Sequence, residues 1–285
     1  ENYINVTERK QKGAFYTKKY VVQFMCRLAL KSYLERFLSP QKALRLACAQ
    51  DATGLNDGEK KEILKVLKEI KVLDPACGSG AYLQGMMREL EGMRVALGDR
   101  TNRANLRREI ILNNLHGVDI DPAAVWICKI RLWLNLINLK KEYKKEEAKE
   151  FLLPQLTFRI RTGESLLDKW EDAELNRWGI ERQAGIFWEK QRQLLEEKRK
   201  EHELYSKEAK KSEEIENEIL EVERKLFIAI MKEGREGRKI LEEKIKEYEE
   251  LLKDYGPPLC LWDTYFHDVF KDSGFDIVIM NPPRS

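Results

Sequence analysis

The stretch Lys71-Val-Leu-Asp-Pro-Ala-Cys-Gly-Ser-Gly80 decides the fold predicted for this chain. A short apolar run leads into an acid, a proline and two small-residue turns, and a helical pattern begins at about Ala81. Gly78 and Gly80 let the backbone turn tightly and approach a ligand without a Cβ atom in the way. The stretch therefore predicts a strand over residues 71–73, followed by a ligand-binding loop.

Short strands alternate with helices after this loop. The pattern predicts helices from about Ala81, over 103–114 and over 123–139, and strands over 116–119, near 156–160 and over 275–280. Such alternation implies parallel pairing with right-handed crossovers. An open α/β sheet binds its ligand beyond the carboxyl ends of the strands, where Asp74, Asp119 and Glu164 fall.

The residues before the loop are predicted to be helical. Apolar side chains recur at helical spacing over 18–37, and further helices are predicted over 41–49 and 59–70. Gly13-Ala-Phe-Tyr-Thr17 precedes the first of these helices, and Thr17, if it has no binding role, is expected to be its N-cap. Residues 1–70 are therefore interpreted as an N-terminal helical region.

Residues 187–255 break the alternation with a helix-forming segment rich in Glu, Lys and Arg. An apolar seam of Ile215, Ile219, Val222 and Leu226 is followed, after Gly234-Arg-Glu-Gly237, by a second seam over 241–255. We therefore predict an antiparallel helical hairpin over 187–255, inserted into an α/β core made of residues 71–186 and 256–285.

The composition restricts the class of protein. Charged residues make up 35% of the chain but the net charge is only +3, so charge balance alone argues neither for nor against nucleic acid. The five cysteines are scattered and form no Cys-x-x-Cys pair, which favours reduced thiols over disulfides or a zinc site. No metal is predicted, and no apolar run reaches the roughly 20 residues of a membrane span. We expect a cytoplasmic protein, or a piece of one.

The glycine-rich loop suits the amino-acid end of a zwitterionic ligand. The Asp74 carboxylate can meet an ammonium group, and amides at the start of the next helix can meet a carboxylate. The dinucleotide fingerprint Gly-x-Gly-x-x-Gly fails because Leu83 occupies the place of the third glycine. A pyrophosphate is therefore the poorer match.

Two acids that follow later strands are candidates for contacts to a nucleoside. Asp119 can accept hydrogen bonds from a ribose diol, because Asp121 with Pro122 is typical of the next helix's N-cap. Glu164 can accept from an exocyclic adenine amine, and Leu166 can pack on the base. Taken alone, Glu164 would more often be a surface acid.

Asn281-Pro-Pro283 follows the last predicted strand. Its prolines stiffen the backbone, so the Asn281 side-chain oxygen and the Pro282 carbonyl can present two fixed acceptors to a planar amino group. Accepting both hydrogens draws the lone pair out of conjugation and aims it at an electrophile. A rigid turn without chemistry is the alternative.

Taken in order, these motifs resemble those of the adenine-N6 DNA methyltransferases of restriction-modification systems. The resemblance covers residues 8–170 and 273–283, and the nearest subtypes are the fused type IIG enzymes and the type I modification subunits. It implies an S-adenosylmethionine-dependent methyltransferase with a Rossmann-like sheet, N-terminal helices and an inserted helical hairpin. The expected substrate is an adenine flipped out of double-stranded DNA. Arg284 stands where the family usually has an aromatic residue.

The resemblance also implies a role for each motif. The implied cofactor-binding residues are Phe15, Tyr16, Thr17, Asp74, Ala76, Cys77, Gly78, Gly80, Asp119, Ile120, Glu164 and Leu166. Asn281 and Pro282 are implied to bind the target amine, and Pro283 to shape the pocket. Cys77 is interpreted as a small packing residue of the loop rather than a nucleophile. A nuclease and a target-recognition domain are expected in the parent protein.

Two other functions fit the motifs. A protein glutamine-N5 methyltransferase uses the same Asn-Pro-Pro chemistry, but the motif over residues 13–17 and the helical insert favour the DNA enzyme. An inactive cofactor-binding fragment of a larger restriction-modification protein is the second, because the basic surface needed for phosphate contacts is sparse. Since its acids and bases interleave, the insert is interpreted as a solvated spacer rather than a DNA-gripping arm.

Overall fold

The computed structural model describes residues 17–137, 156–166, 169–170, 173–174, 186–205, 209–233, 260–270 and 274–281. The chain divides into two compact units. The first comprises Glu1–Asp119, Ala123–Glu142 and Phe275–Ser285, and the second comprises Ile120–Pro122 and Tyr143–Gly274.

Helices and strands alternate over much of the described chain. The helices are α1 (Lys19–Leu34), α2 (Pro40–Ala49), α3 (Asp57–Glu69), α4 (Ala81–Ala96), α5 (Arg103–Asn113), α6 (Pro122–Ile137), α7 (Ile186–Tyr205), α8 (Ala209–Glu233), α9 (Trp262–Tyr265) and α10 (His267–Phe270). The strands are β1 (Val72–Asp74), β2 (Leu115–Asp119), β3 (Ile160–Thr162), β4 (Lys169–Trp170), β5 (Ala173–Glu174) and β6 (Ile277–Val278). A mixed α/β fold with parallel strands is therefore confirmed.

Two of the three helices that precede β1 begin at local sequence signals. Pro40 occupies the start of α2, where its missing N–H costs no hydrogen bond. Helix α3 begins with a capping box, in which the Asn56 side chain accepts from the Glu59 amide and the Glu59 carboxylate accepts from the Asn56 amide. Helix α1 has Lys18 as its N-cap residue, without a side-chain cap, so the prediction that Thr17 caps this helix is wrong.

Strand β1 lies in the middle of the first unit's sheet. It pairs in parallel with β2, where Val72 lies opposite Leu115, and with β6, where Val72 lies opposite Ile277. All three residues of β1 are buried. Because the three strands run in the same direction, their carboxyl ends meet at one edge of this sheet.

Helix α1 packs closely against α4 in the first unit. A Cβ atom on Gly85 would lie 2.5 Å from Val22 Cγ1, so only glycine allows this approach. The buried Glu89 carboxylate accepts from Gln23 Nε2 over 3.1 Å and from Arg27 Nε over 2.9 Å. These contacts fix the position of α1, and with it the residues at its start.

The second unit contains a pair of long helices. Helices α7 and α8 pack against each other, and the predicted seam of Ile215, Ile219, Val222 and Leu226 is buried. His202 pairs with Ser212 and Arg199 with Glu223, so the two helices are antiparallel. The predicted glycine turn over 234–237 and the predicted second seam over 241–255 lie outside the described residues.

Two expectations for the second unit are wrong. The strand predicted near 156–160 lies at 160–162, because residues before Ile160 form a turn closed by the Arg159 amide and the Leu156 carbonyl at 3.1 Å. The insert was expected to be a solvated spacer, but its helix α8 is not one, because Glu223 on this helix is fully buried and ion-paired with two arginines. Helix α8 is thus part of the packed interior of the second unit.

No helix within the described ranges is long and apolar enough to cross a membrane.

Candidate functional site

The strand ends of the first unit carry polar side chains to one edge of its sheet. Asp74 is the last residue of β1 and Asp119 the last of β2, and Asn281 follows β6 by three residues. Their convergence was expected from the sequence because parallel strands end at the same edge. This edge is the candidate functional site.

Asp74 is a buried carboxyl group with one oxygen lacking a partner. Its Oδ1 accepts from the Ala76 amide over 3.2 Å, whereas no hydrogen-bond partner for Oδ2 is found among the described residues. Burial raises the pKa of Asp74 to about 7, with a further rise from Asp119 and an opposing effect of the Ala76 amide. Since an unpaired buried polar group is costly, the free oxygen marks a place for a ligand donor.

The two glycines of the loop serve different purposes. Gly78 has φ +50°, and apart from its chain neighbours no atom of the described residues lies within 4 Å of the position that a Cβ atom would take there. Gly80 has φ +84°, and a Cβ atom there would lie 2.6 Å from Cys128 Sγ. Gly78 therefore faces open space that a ligand can enter, and Gly80 permits the contact between the loop and α6.

Side chains from β2 and α6 hold the loop in place. Asp119 Oδ2 accepts from the Gly78 amide over 2.7 Å. Ser79 Oγ accepts from Arg131 on α6, also over 2.7 Å. The sequence predicted a ribose contact for Asp119 and gave no sign of its bond to the loop, which depends on the packing of two strands.

Cys77 is a packing residue, as predicted. Its side chain is buried beside Gly117, where a Cβ atom would lie 3.2 Å from Cys77 Cβ and Sγ. A hydrogen bond with Cys128, together with burial, raises the pKa of the Cys77 thiol well above its ordinary value. A thiol that stays protonated is a poor nucleophile.

Thr17 and Asn281 meet at this edge although they lie at opposite ends of the chain. Asn281 Nδ2 donates to Thr17 Oγ1 over 3.1 Å. Tyr82, in the first turn of α4, is buried, and burial raises the pKa of its hydroxyl, with an opposing effect of Thr17. Tyr82 was not predicted from the sequence, and the one available signal was that a buried tyrosine needs a hydrogen-bond partner.

The other predicted site residues are placed as follows. Glu164, in the second unit, accepts from the Leu166 amide over 3.0 Å through Oε1, and its carbonyl accepts from the Cys260 amide over 2.9 Å. The side chains of Leu166 and Ile120 are exposed. The roles expected for these residues remain predictions. Phe15, Tyr16, Pro282 and Pro283 lie outside the described residues.

Comparison with known proteins finds similarity to a family in the central part of the chain. Residues 50–187 match the family described as the DNA-methyltransferase domain of MmeI. A putative type II restriction enzyme and methyltransferase of Methanocaldococcus jannaschii is 36% identical over 200 residues, which are 63% of this chain and 17% of that protein. The adenine-specific methyltransferase PglX of Streptomyces coelicolor is 32% identical over 103 residues, which are 35% of this chain and 8% of that protein.

This chain spans less than a fifth of the length of either of these curated relatives, at 17% and 8%. The match to the MmeI family includes the loop from Asp74 to Gly80, strand β2 and helix α6. Residues 50–187 are therefore similar to the DNA-methyltransferase domain family of MmeI.

Proposed function

We propose that this chain is the cofactor-binding and target-binding part of a DNA adenine-N6 methyltransferase of a restriction-modification system, dependent on S-adenosylmethionine. The observation that carries the proposal is the buried Asp74 carboxyl group, whose Oδ2 has no partner among the described residues and lies in the loop with the open turn at Gly78. The names of the two relatives, a restriction enzyme with methyltransferase and an adenine-specific methyltransferase, favour DNA over protein glutamine as the substrate.

The first unit supplies groups that fit the cationic end of this cofactor. Asp74 Oδ2 can accept from an ammonium group, and the positive charge would favour the ionised carboxylate and so lower the pKa of Asp74. Gly78 leaves room for close backbone approach, and the amides at the start of α4 suit a carboxylate. When bound, the cofactor supplies an electrophilic methyl group on a sulfonium.

Further contacts are proposed for the nucleoside part of the cofactor. Asp119 would accept from the ribose, Glu164 from the adenine amine, and Leu166 would pack on the base. Ala76, Cys77, Gly80 and Ile120 would line the site, with Phe15, Tyr16 and Thr17 nearby. The parallel order β2-β1-β6, with α4 directly after β1, supports a Rossmann-like sheet around this site.

The target amine is assigned to the segment after β6. We propose that Asn281 Oδ1 and the Pro282 carbonyl each accept one hydrogen of the adenine amino group, and that Pro283 shapes the pocket. Two acceptors in fixed positions orient the amine and favour the geometry in which its lone pair is available. The parent protein would act on double-stranded DNA in the cytoplasm and carry target-recognition and nuclease domains.

Calorimetry with S-adenosylmethionine tests the cofactor site. Asp74→Asn removes the negative charge, and since hydrogen bonds to charged groups contribute about 1.5–3 kcal/mol, the affinity should fall about 10- to 150-fold. Glu218→Gln changes an exposed acid on α8 and should leave the affinity unaltered. Equal binding by wild type and Asp74→Asn would contradict the cofactor assignment.

Methyl transfer tests the substrate. Unmethylated duplex DNA and a mixture of proteins are each incubated with the chain and cofactor labelled in the methyl group, and the products are digested and identified by mass spectrometry. We expect N6-methyladenine in the DNA and none after Asn281→Ala. Label recovered on glutamine would instead support the protein methyltransferase, and cofactor binding without label on either substrate would support the inactive fragment.

A further inference from the structure

Asp276, the residue before β6, is hydrogen-bonded to two other segments of the first unit. Its Oδ2 accepts from the amide of Lys71, just before β1, over 2.8 Å. Its Oδ1 accepts from the hydroxyl of Tyr33 on α1 over 3.1 Å. The Asp276 amide also donates to the Lys71 carbonyl over 2.9 Å. One residue therefore joins the start of β6 to both β1 and α1.

Tyr33 is a hydrogen-bond donor to Asp276 near neutral pH. Burial, followed by the charge of Asp276, raises the pKa of Tyr33 to about 12. The phenol therefore keeps its hydrogen, and the carboxylate can only accept. The 3.1 Å contact between the two side chains is thus a bond from tyrosine to carboxylate.

Helix α1 contacts the β6 segment near both of its ends. Tyr33 lies in the last turn of α1 and contacts Asp276 before β6. Thr17 precedes α1 by two residues and accepts from Asn281, three residues after β6, over 3.1 Å. Arg27 in the middle of α1 donates to the buried carboxylate of α4 over 2.9 Å. Helix α1 is therefore a fixed support for β6.

The burial pattern of β6 does not by itself determine its register on β1. Ile277 and Ile279 are buried, whereas Val278 and Met280 are exposed, so a shift by one residue would expose the apolar side chains. A shift by two residues would keep the alternation, because side chains on a strand repeat with a period of two. Contacts outside this pattern must therefore select between registers that differ by two residues.

The bonds of Asp276 provide that selection. In the observed register Val72 lies opposite Ile277. A shift by two residues would move the Asp276 carboxylate about 6.6 Å along the strand, beyond hydrogen-bonding distance of the Lys71 amide. Asn281 would move by the same amount. Since a misplacement of about 1 Å can cost about 100-fold in rate, the register of β6 decides whether Asn281 can hold a substrate.

We propose that Asp276 and Tyr33 are positioning residues, which fix the register of β6 on β1 and thereby place Asn281 where the target amine binds. This assignment rests on the proposed function for the identity of that amine. Neither Asp276 nor Tyr33 is among the residues to which the resemblance gives a role. The proposal links the end of α1 and the start of β6 to the residue that holds the substrate.

The role of Asp276 can be tested without any activity. The Ile279 amide donates to the Leu73 carbonyl over 2.9 Å, so its hydrogen exchange, followed by NMR, reports how firmly β6 is held. Tyr33→Phe removes one bond and should raise the exchange rate about 2- to 12-fold. Asp276→Ala removes both side-chain bonds and should raise it further. Asp276→Asn keeps an acceptor for the Lys71 amide and a donor toward Tyr33, and should remain close to the wild type.

Asp51→Ala is the matched control. The Asp51 carboxylate also accepts from a backbone amide, that of Thr53 over 2.8 Å, and from an Arg45 side chain, within the segment that includes α2 and the turn after it. Replacing it should leave exchange at Ile279 unaltered. Asp276 is itself exposed, so its replacement by alanine opens no cavity in the core.

Cross-strand nuclear Overhauser contacts between Val72 and Ile277 identify the register. They should weaken in Asp276→Ala, together with faster exchange at Ile279. Unchanged contacts and exchange in this variant would overturn the proposal, and so would exchange in Asp276→Asn as fast as in Asp276→Ala. Tyr33→Phe serves if Asp276→Ala fails to fold, and unchanged exchange there would equally overturn it.

Kinetics separate positioning from stability. Per folded molecule, Asp276→Ala should lower kcat for adenine methylation about 10-fold and leave the Kd for S-adenosylmethionine unaltered, because the cofactor loop follows β1 rather than β6. Asp276→Asn should restore kcat. Faster exchange at Ile279 with unchanged kcat would mean that the bonds only stabilise the strand, and would overturn the positioning role. If exchange responds as expected but the wild type methylates no DNA, the proposed function fails while the register role of Asp276 stands.

Discussion

Two buried carboxyl groups, Asp74 in the first unit and Glu223 in the second, differ in their hydrogen-bond partners. Asp74 is 1% exposed and Glu223 is not exposed at all. Glu223 accepts from Arg161 through Oε2 and from Arg199 through Oε1, the latter over 3.0 Å. Among the described residues, the one hydrogen-bond partner of the Asp74 carboxyl group is the Ala76 amide. A fully paired buried carboxylate indicates a structural role, whereas a missing partner indicates a ligand site.

The partners of Glu223 show what that structural role is. The Arg161 guanidinium, on β3, lies 4.1 Å from the centre of the Tyr265 ring. Arg199, on α7, also donates to the carbonyls of Thr264 and Tyr265 over 2.9 and 3.1 Å. Glu223 on α8 thus joins β3, α7 and α9 within the second unit, and a change there should affect stability before it affects binding.

The largest effect is expected from Glu223→Gln. Removing the charge leaves the buried Arg161 and the partly buried Arg199 without their shared partner, and breaking a buried ion pair in this way costs about 3–5 kcal/mol. The free energy of unfolding, measured with urea and circular dichroism, should fall by that amount. A loss below about 1 kcal/mol would show that the buried cluster is not what holds the helices to β3.

The cofactor should stabilise the protein through Asp74. At 100 times its Kd, S-adenosylmethionine should raise the free energy of unfolding by about 2.7 kcal/mol in the wild type. Asp74→Asn should show a much smaller gain at the same concentration, because its affinity is lower. The comparison uses thermal unfolding with and without cofactor, and equal gains in both proteins would count against Asp74 as the ligand-binding acid.

The pH dependence of stability sharpens the comparison further. The pKa of Asp74 is raised to about 7 in the folded protein, against about 3.9 in an unfolded chain. Between these values the folded state binds more protons than the unfolded state, so this group lowers stability as pH rises. Asp74→Asn removes the effect. The free energy of unfolding of this variant, relative to that of the wild type, should therefore rise by about 2 kcal/mol between pH 5 and pH 7.

Urea unfolding of both proteins at pH 5, 6 and 7 measures that difference in the absence of cofactor. Residues other than Asp74 contribute equally to both curves, so the comparison isolates this carboxyl group. A constant difference across the three pH values would mean that Asp74 is ionised throughout, and therefore has a partner for its second oxygen.

The smallest effect is expected from Glu218→Gln on α8. Glu218 lies 2.6 Å from Lys198, but the two side chains are 54% and 26% exposed. Exposed ion pairs contribute little, so the free energy of unfolding should change by less than about 0.5 kcal/mol. A loss comparable to that of Glu223→Gln would show that charge on α8, rather than burial, determines the result.

Much of the candidate site could be predicted from local sequence. The glycine loop, the acids at the ends of β1 and β2, and Asn281 after β6 were all placed at one edge, because alternating strands and helices imply parallel strands. The capping box of Asn56 and Glu59 likewise depends on neighbours in the chain. Where spacing along the chain determines a contact, the sequence is sufficient to predict it.

The contacts between distant residues were not predictable in this way. Threonine is a good N-cap, and local preference therefore favoured Thr17 as the cap of α1, but the Thr17 hydroxyl accepts from Asn281, 264 residues away. The same holds for the seam of α8. Its apolar spacing predicted a buried face, whereas the pairing of Glu223 with Arg161, 62 residues away, depends on how β3 and the helix pack.

The sequence by itself thus determined the alternation of strands and helices, the turns at Gly78 and Gly80, and the chemical groups at the strand ends. Only the tertiary structure decided which of those groups have partners. Backbone periodicity and turn preference act between neighbouring residues, whereas the direction of a side-chain hydrogen bond depends on the packing of elements far apart in the chain. Among the described residues, that difference leaves Asp74 Oδ2 without a partner, joins Glu223 to two arginines, and brings Asn281 to Thr17.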